Sequence, residues 1–154
     1  MSEPAIKRQA IVDELVELCE LITVANGYRS NAGLSVGDWQ LHWHEAELPA
    51  ISVCDVEEDV QTDTVDEFID IYRLAVVIRV QFASETRPPQ AREVIADVLN
   101  AIGTNPRLTV DGTPLAHKLD VRRTQLIQSE DSHQIGAGAV ELDIYYSSER
   151  FSYT

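Results

Sequence analysis

The sequence predicts an α+β fold, a two-layer sandwich in which a mainly antiparallel sheet carries two helices on one face. Three observations predict it. Two stretches, 4–25 and 88–102, repeat apolar residues at helical spacing. Several others alternate apolar and polar residues with a period of two. The strand-like stretches are joined by hairpin-length loops, which favours antiparallel pairing, and two one-sided helices can then cover one sheet face. At 154 residues a single domain spanning 1–154 is expected, with no repeat and no dividing linker.

The first helix is expected over 4–25. Ile11, Leu15, Leu18 and Ile22 form its apolar stripe with Val12 and Cys19 beside them, while Asp13, Glu17 and Glu20 point the other way. Pro4 suits a first turn, and Asn26-Gly27 supplies a left-handed stop. Asn31, Gly33 and Gly37 signal turns, with short extended pieces expected around 28–29 and 39–43. Residues 48–54 read as a strand with Pro49 at its start or on an edge. Residues 69–83 are the clearest strand, Leu74, Val76, Ile78, Val80 and Phe82 lining one face. Ala75 and Val77 leave the other face only half polar, a hint of assembly. The second helix, 88–102, buries Ala91, Val94, Ile95, Val98, Leu99 and Ile102 and stops at Gly103. A short strand at 107–110 meets a tight turn at Asp111-Gly112. Strands at 119–128 and 139–147 close the chain around a loop at 129–138.

Charge is laid out unevenly. Residues 1–70 hold 16 Asp/Glu against 3 Lys/Arg, a balance of −13; the rest of the chain contributes −1 to the total of −14. Eight acids crowd one window: Asp55, Glu57, Glu58, Asp59, Asp63, Asp66, Glu67 and Asp70. With no hydrophobic period there, a mobile acidic loop or hairpin tip is expected over 55–70. A field of this sign opposes nucleic-acid binding, which rests on Lys and Arg displacing counterions.

Motifs that carry chemistry are scarce. Gly33-Leu34-Ser35-Val36-Gly37 has neither the spacing nor the lysine of a phosphate loop. The acidic window lacks the register and the glycine of a calcium loop. Cys19 and Cys54 sit in apolar patterns and read as buried free thiols. His42 and His44 would share a face of a strand, with Glu45 and Glu47 nearby, so a divalent-metal site or a small metal-dependent enzyme is one alternative. Arg122 and Arg123 would point to opposite faces of a strand and so form no patch. The absence of a basic leader and of a long apolar run leads to the expectation of a soluble, cytoplasmic chain.

Several local patterns taken together resemble one family. They are the amphipathic first helix closing in Ile22-Thr23-Val24-Ala25-Asn26-Gly27-Tyr28, and the segment Glu47-Leu48-Pro49-Ala50-Ile51-Ser52-Val53 leading into the acidic window. The long strand, the single following helix and the closing strands complete the pattern. The chain is similar in these respects to the tail terminator, or tail completion, proteins of long-tailed phages and prophages, the lambda type in particular. The resemblance implies a structural protein and no enzyme, with no catalytic residues, cofactor or metal. It implies a hexameric ring that caps the head-proximal end of the tail tube, ends its polymerisation and offers a head-joining surface. The implied partners are other copies of the chain, the tail tube protein and a head–tail connector protein, with no membrane. The implied locations are the bacterial host cytoplasm and, once assembled, the virion tail.

In such a ring six copies would carry −84, and DNA would pass an acidic wall without binding it specifically. The residues expected at the lumen or an interface are Asp13, Glu17 and Glu20 on the first helix, with Asp55, Glu57, Glu58, Asp59, Asp63 and Asp66 in the acidic window. Another alternative is an acidic adaptor that binds a different protein through the open sheet face.

Overall fold

A computed structural model describes residues 6–61, 69–129 and 134–149. The chain is an α+β protein with a mainly antiparallel five-stranded sheet and two α-helices. Helix α1 is Lys7–Glu20 and α2 is Pro88–Gly103. The strands are β1 (Val36–Asp38), β2 (Ala50–Val60), β3 (Ile69–Gln81), β4 (Thr109–Val110), β5 (Thr113–Pro114), β6 (Lys118–Gln128) and β7 (Ile135–Glu149). The main sheet runs β1-β2-β3-β7-β6, antiparallel throughout except for the parallel pair β1–β2. β4 and β5 form a separate small hairpin, turned by Asp111 and Gly112, both at positive φ.

The alternation read from the sequence places the core. Leu74, Val76, Ile78 and Val80 of β3 stand beside Ile144, Leu142 and Val140 of β7 and beside Val53 and Ile51 of β2. All are buried under the two helices. Helix α1 contributes Ile11, Val12, Leu15, Leu18 and Cys19, and α2 contributes Ala91, Val94, Ile95, Val98, Ala101 and Ile102. A buried Val, Leu or Ile contributes about 1.5–3 kcal/mol relative to exposure, so this layer supplies most of the driving force for folding. Tyr72 and Tyr146 stack at its end, ring centroids 5.3 Å apart.

Helix α1 stops earlier than its apolar period suggests. Gly33 donates its N–H to the Ile22 carbonyl (2.8 Å), and Asn26 Nδ2 donates to the Leu21 carbonyl (2.9 Å). The chain after the helix therefore satisfies carbonyls that a longer helix would use itself. A Cβ on Gly33 would lie 2.6 Å from the carbonyl oxygens of Cys19 and Ile22, so glycine is required by proximity. Gly27, at φ 91°, ends a 3-10 turn at Val24–Asn26 instead of the helix. Pro4 lies outside the described residues.

The extended pieces expected around 28–29 and 39–43 are not strands; the strand of this region is β1. Its neighbour segment is held by a carboxylate in the second helix. Asp97, 1% exposed, accepts from the backbone N–H of Arg29 (3.1 Å), the N–H of Ser30 (2.9 Å) and Ser30 Oγ (2.7 Å). These three donors compensate the burial of the charge.

The acidic window is corrected most. Its first part is not a loop: residues 55–60 continue β2, paired with β3 from Val76 to Tyr72, and Ile69 and Asp70 already belong to β3. Asp63, Asp66 and Glu67 fall in 62–68, outside the described residues. β7 likewise begins at Ile135, four residues before the expected strand.

Asp97→Ala would orphan the three donors of the 29–30 segment. The expected cost is about 2 kcal/mol, read as a lowered midpoint in urea unfolding with an unchanged slope.

Candidate functional site

Two features outside the core hold the chemistry of the molecule: the acidic end of β2, and the sheet face that no helix covers. A β-bulge between Asp55 and Glu57 organises the first. Asp55 stands opposite Val76 and Glu58 opposite Leu74, on the helix-covered face, whereas Glu57 and Asp59 stand opposite Ala75 and Arg73 on the open face. The carboxylates are thus divided between two arginines.

On the covered side Arg8 of α1 donates from Nε to Asp55 Oδ2 (2.6 Å) and from a terminal nitrogen to Glu58 Oε2 (3.5 Å). Trp39 Nε1 donates to Asp55 Oδ1 (2.7 Å), and the Tyr146 hydroxyl donates to Glu58. Burial opposes the charge of Asp55, but the hydrogen bonds from Trp39 and Arg8, with the arginine's charge, outweigh it and hold the carboxyl below its ordinary value. On the open side Arg73 pairs with Asp59 and lies 3.8 Å from both Glu57 and Asp143.

A second bulge, between Val121 and Arg123, changes the reading of the arginine pair. Arg122 and Arg123 do not diverge to opposite faces. Arg122 Nε lies 3.8 Å from Asp143, and Arg123 pairs with Glu141, both carboxylates on the open face of β7. The extra residue cancels the alternation that separates neighbours on a regular strand.

The open face is grooved. Ala50 and Ser52 on β2, Val77 and Arg79 on β3, and Ala137 and Ala139 on β7 line a groove of about 610 Å³. Leu41 and Trp43, from the segment between β1 and β2, form one wall; Arg123, Gln125 and Ile127 of β6 form the other. Arg79 stands in register between Ser52 and Ala139. It is exposed, and among the described residues it has no hydrogen bond or ion pair. The groove lining carries two arginines against one glutamate, a net positive charge on a chain of −14. A smaller, more apolar cavity of about 420 Å³ lies between α2 and β6, lined by Ile95, Leu99 and Leu126 among others.

Asp13, Glu17 and Glu20 lie along α1 at i, i+4 and i+7, all exposed. Asp13 accepts from Gln9 (2.8 Å). Glu14 beside them is raised above its ordinary value by burial, with the charge of Glu17 adding to it and a hydrogen bond from Asn105 opposing it. Glu17 and Glu20 occupy the last turn, which contains no basic residue.

The remaining candidates assemble no reaction centre among the described residues. His42 is exposed, and His44 caps a 3-10 turn at Glu45–Glu47, its backbone N–H donating to Glu47 Oε1 (2.9 Å). The strand expected to align the two imidazoles is absent, and among the described residues no group of three or more His, Cys, Asp or Glu is placed to hold a metal ion. Cys19 and Cys54 are free and buried, as read from the sequence. Burial, with the charge of Glu20, pushes the Cys19 thiol up to about 12, so it is not a thiolate at neutral pH. His117 Nε2 lies 2.8 Å from Ser147 Oγ, but neither residue lines the groove or the smaller cavity. No helix among the described residues is long and apolar enough to cross a membrane.

Sequence reasoning missed Arg79 and the groove. The small residues of the open face were visible as Ala75 and Val77, but the walls come from segments far away in the chain. No protein-family model matches the chain, and no curated protein matches it significantly.

The Asp55 carboxyl, depressed in the folded state, stabilises the protein above the unfolded carboxylate value of about 3.9, and that contribution is lost as pH falls through the lower folded value. Asp55→Asn is expected to cost about 1 kcal/mol at pH 7, the ion pair being screened on its exposed side. Urea unfolding at pH 7, 5 and 3 checks this: the gap to the parent persists at pH 5 and closes towards pH 3.

Proposed function

We propose that this chain is a structural subunit of a phage tail, one that closes a ring on the head-proximal end of the tail tube, ends tube polymerisation and presents the surface to which the head joins. The observation that carries the reading is the uncovered sheet face. One layer of helices covers one side of the sheet, while the other side is a groove in which Ala50, Ala137 and Ala139 lie beside Arg79 and Gln81. A groove of mixed polarity left uncovered by the helices suits association with another protein, since such interfaces are about as polar as the rest of a protein surface.

The charge pattern supports the same reading in a narrower form. Asp55, Glu58 and Asp59 are engaged by Arg8 and Arg73 within the subunit, so their charge is partly compensated. Asp13, Glu17 and Glu20 are the exposed acids of α1 and are the stronger candidates for a docking face or for the lumen wall. A ring walled by such residues would let DNA through without Lys/Arg clusters to hold its phosphates. Partners of the ring would be other copies, the tube protein and the head–tail connector, in the host cytoplasm during assembly and in the virion tail afterwards.

Electron microscopy of tail assembly with this protein withheld tests the reading. Overlong tubes without heads are the expected result, and adding the protein back restores uniform length. Tubes of normal length in its absence would end the terminator reading and favour an adaptor that uses the open face for another protein.

A further inference from the structure

Helix α1 is charged against its own dipole. Its two cations, Lys7 and Arg8, sit in the first turn, where the positive end of the helix disfavours them. Glu17 and Glu20 sit in the last turn, at the negative end, with no basic residue beside them. Each misplaced exposed charge weakens the helix. The N-terminal cations are compensated inside the subunit: Lys7 Nζ donates to the Ser147 carbonyl (2.6 Å), and Arg8 is held by Asp55 and Glu58. Among the described residues no cation compensates Glu17 or Glu20.

The same end of the molecule exposes apolar side chains. Leu21 and Val24 follow the helix, and Leu34, 75% exposed, is adjacent to the Gly33 that lies against the helix's last carbonyls. Acid and apolar surface therefore meet at one end of α1. The open-face groove offers the complement: Arg79 on the floor, with no ion pair among the described residues, and exposed Leu41 and Ile127 in its walls.

Resting on the ring reading above, we propose that the groove of one copy receives the C-terminal end of α1 of a second copy. Arg79 takes Glu17 and Glu20, and Leu21, Val24 and Leu34 pack towards the groove walls. A cation delivered to the last helical turn satisfies both the carboxylates and the dipole. The two surfaces are different patches of the same chain, so the contact is head to tail. Repetition of such a contact produces a closed ring or an open filament, according to the angle between neighbours.

The test uses the full chain alone, in low salt, by analytical ultracentrifugation over a concentration series. The parent is expected to self-associate, and added salt weakens the association. Arg79→Glu, and separately Glu17→Gln with Glu20→Gln, each weaken it at least tenfold. The glutamine variant unfolds at a temperature no lower than the parent, because it removes charge that opposes the dipole, so its loss of association is not a loss of fold. An equimolar mixture of the two variants stops at a dimer, because only one good groove and one good helix end remain per pair. A parent that stays monomeric at its highest soluble concentration, variants that associate like the parent, or a mixture that grows past the dimer would each overturn the proposal. Tube length with the protein withheld is read separately, so the head-to-tail contact and the terminator role can fail independently.

Discussion

The pleat of the sheet, and the two places where it slips by one residue, decide which charges of this molecule meet. In a regular strand neighbouring side chains alternate between faces, and any acidic run is divided strictly odd from even. The bulge at Val56 breaks that rule in β2 and the one at Arg122 breaks it in β6. The first sends Asp55 and Glu58 under α1, where Arg8 reaches them, and leaves Glu57 and Asp59 to Arg73. The second turns Arg122 and Arg123 together towards Asp143 and Glu141. Each bulge thereby divides a run of like charges among partners on neighbouring elements, Arg8 on α1 and Arg73 on β3 for the first, Asp143 and Glu141 on β7 for the second.

How much of this was legible follows from where the partners lie in the sequence. β3 and α2 carry their own periods, and each is found within a residue or two of its expected bounds. The acidic half of β2 does not, because its apolar residues are reduced to Val56 and Val60. Its strand character comes from pairing with β3, and its charges are balanced by Arg8, 47 residues before Asp55, and Arg73, 14 residues after Asp59. Composition over a local window sees the acids without the cations. β1 is only Val-Gly-Asp and exists through its parallel partner. Asp97 is hidden in the middle of an apolar helix, where only the return of the 29–30 segment reveals its use. The groove was legible as a half-polar face; its depth depends on the loop wall from 40–43 and so was not.

Helix α1 shows how packing overrides local electrostatics. It has no side-chain N-cap and its charges oppose its dipole, so in isolation it would be a weak helix. Five buried side chains outweigh this, since each is worth more than a misplaced surface charge. What local rules disfavour is therefore kept without loss of the fold, and surface charge there is free to serve contacts outside the subunit.

The outer rims of the sheet constrain how copies of this chain can meet. At one rim the outward edge of β2 beyond β1 holds a bulge and three consecutive acids, Glu57, Glu58 and Asp59. At the other, β6 holds a bulge and the charges Lys118, Asp120, Arg122 and Arg123. Bulges distort the row of backbone donors and acceptors that an incoming strand would need, and charged side chains oppose its approach. Strand-to-strand addition, the route to runaway fibres, is guarded against at both borders. What the fold leaves open to other molecules is the grooved sheet face and the exposed end of α1.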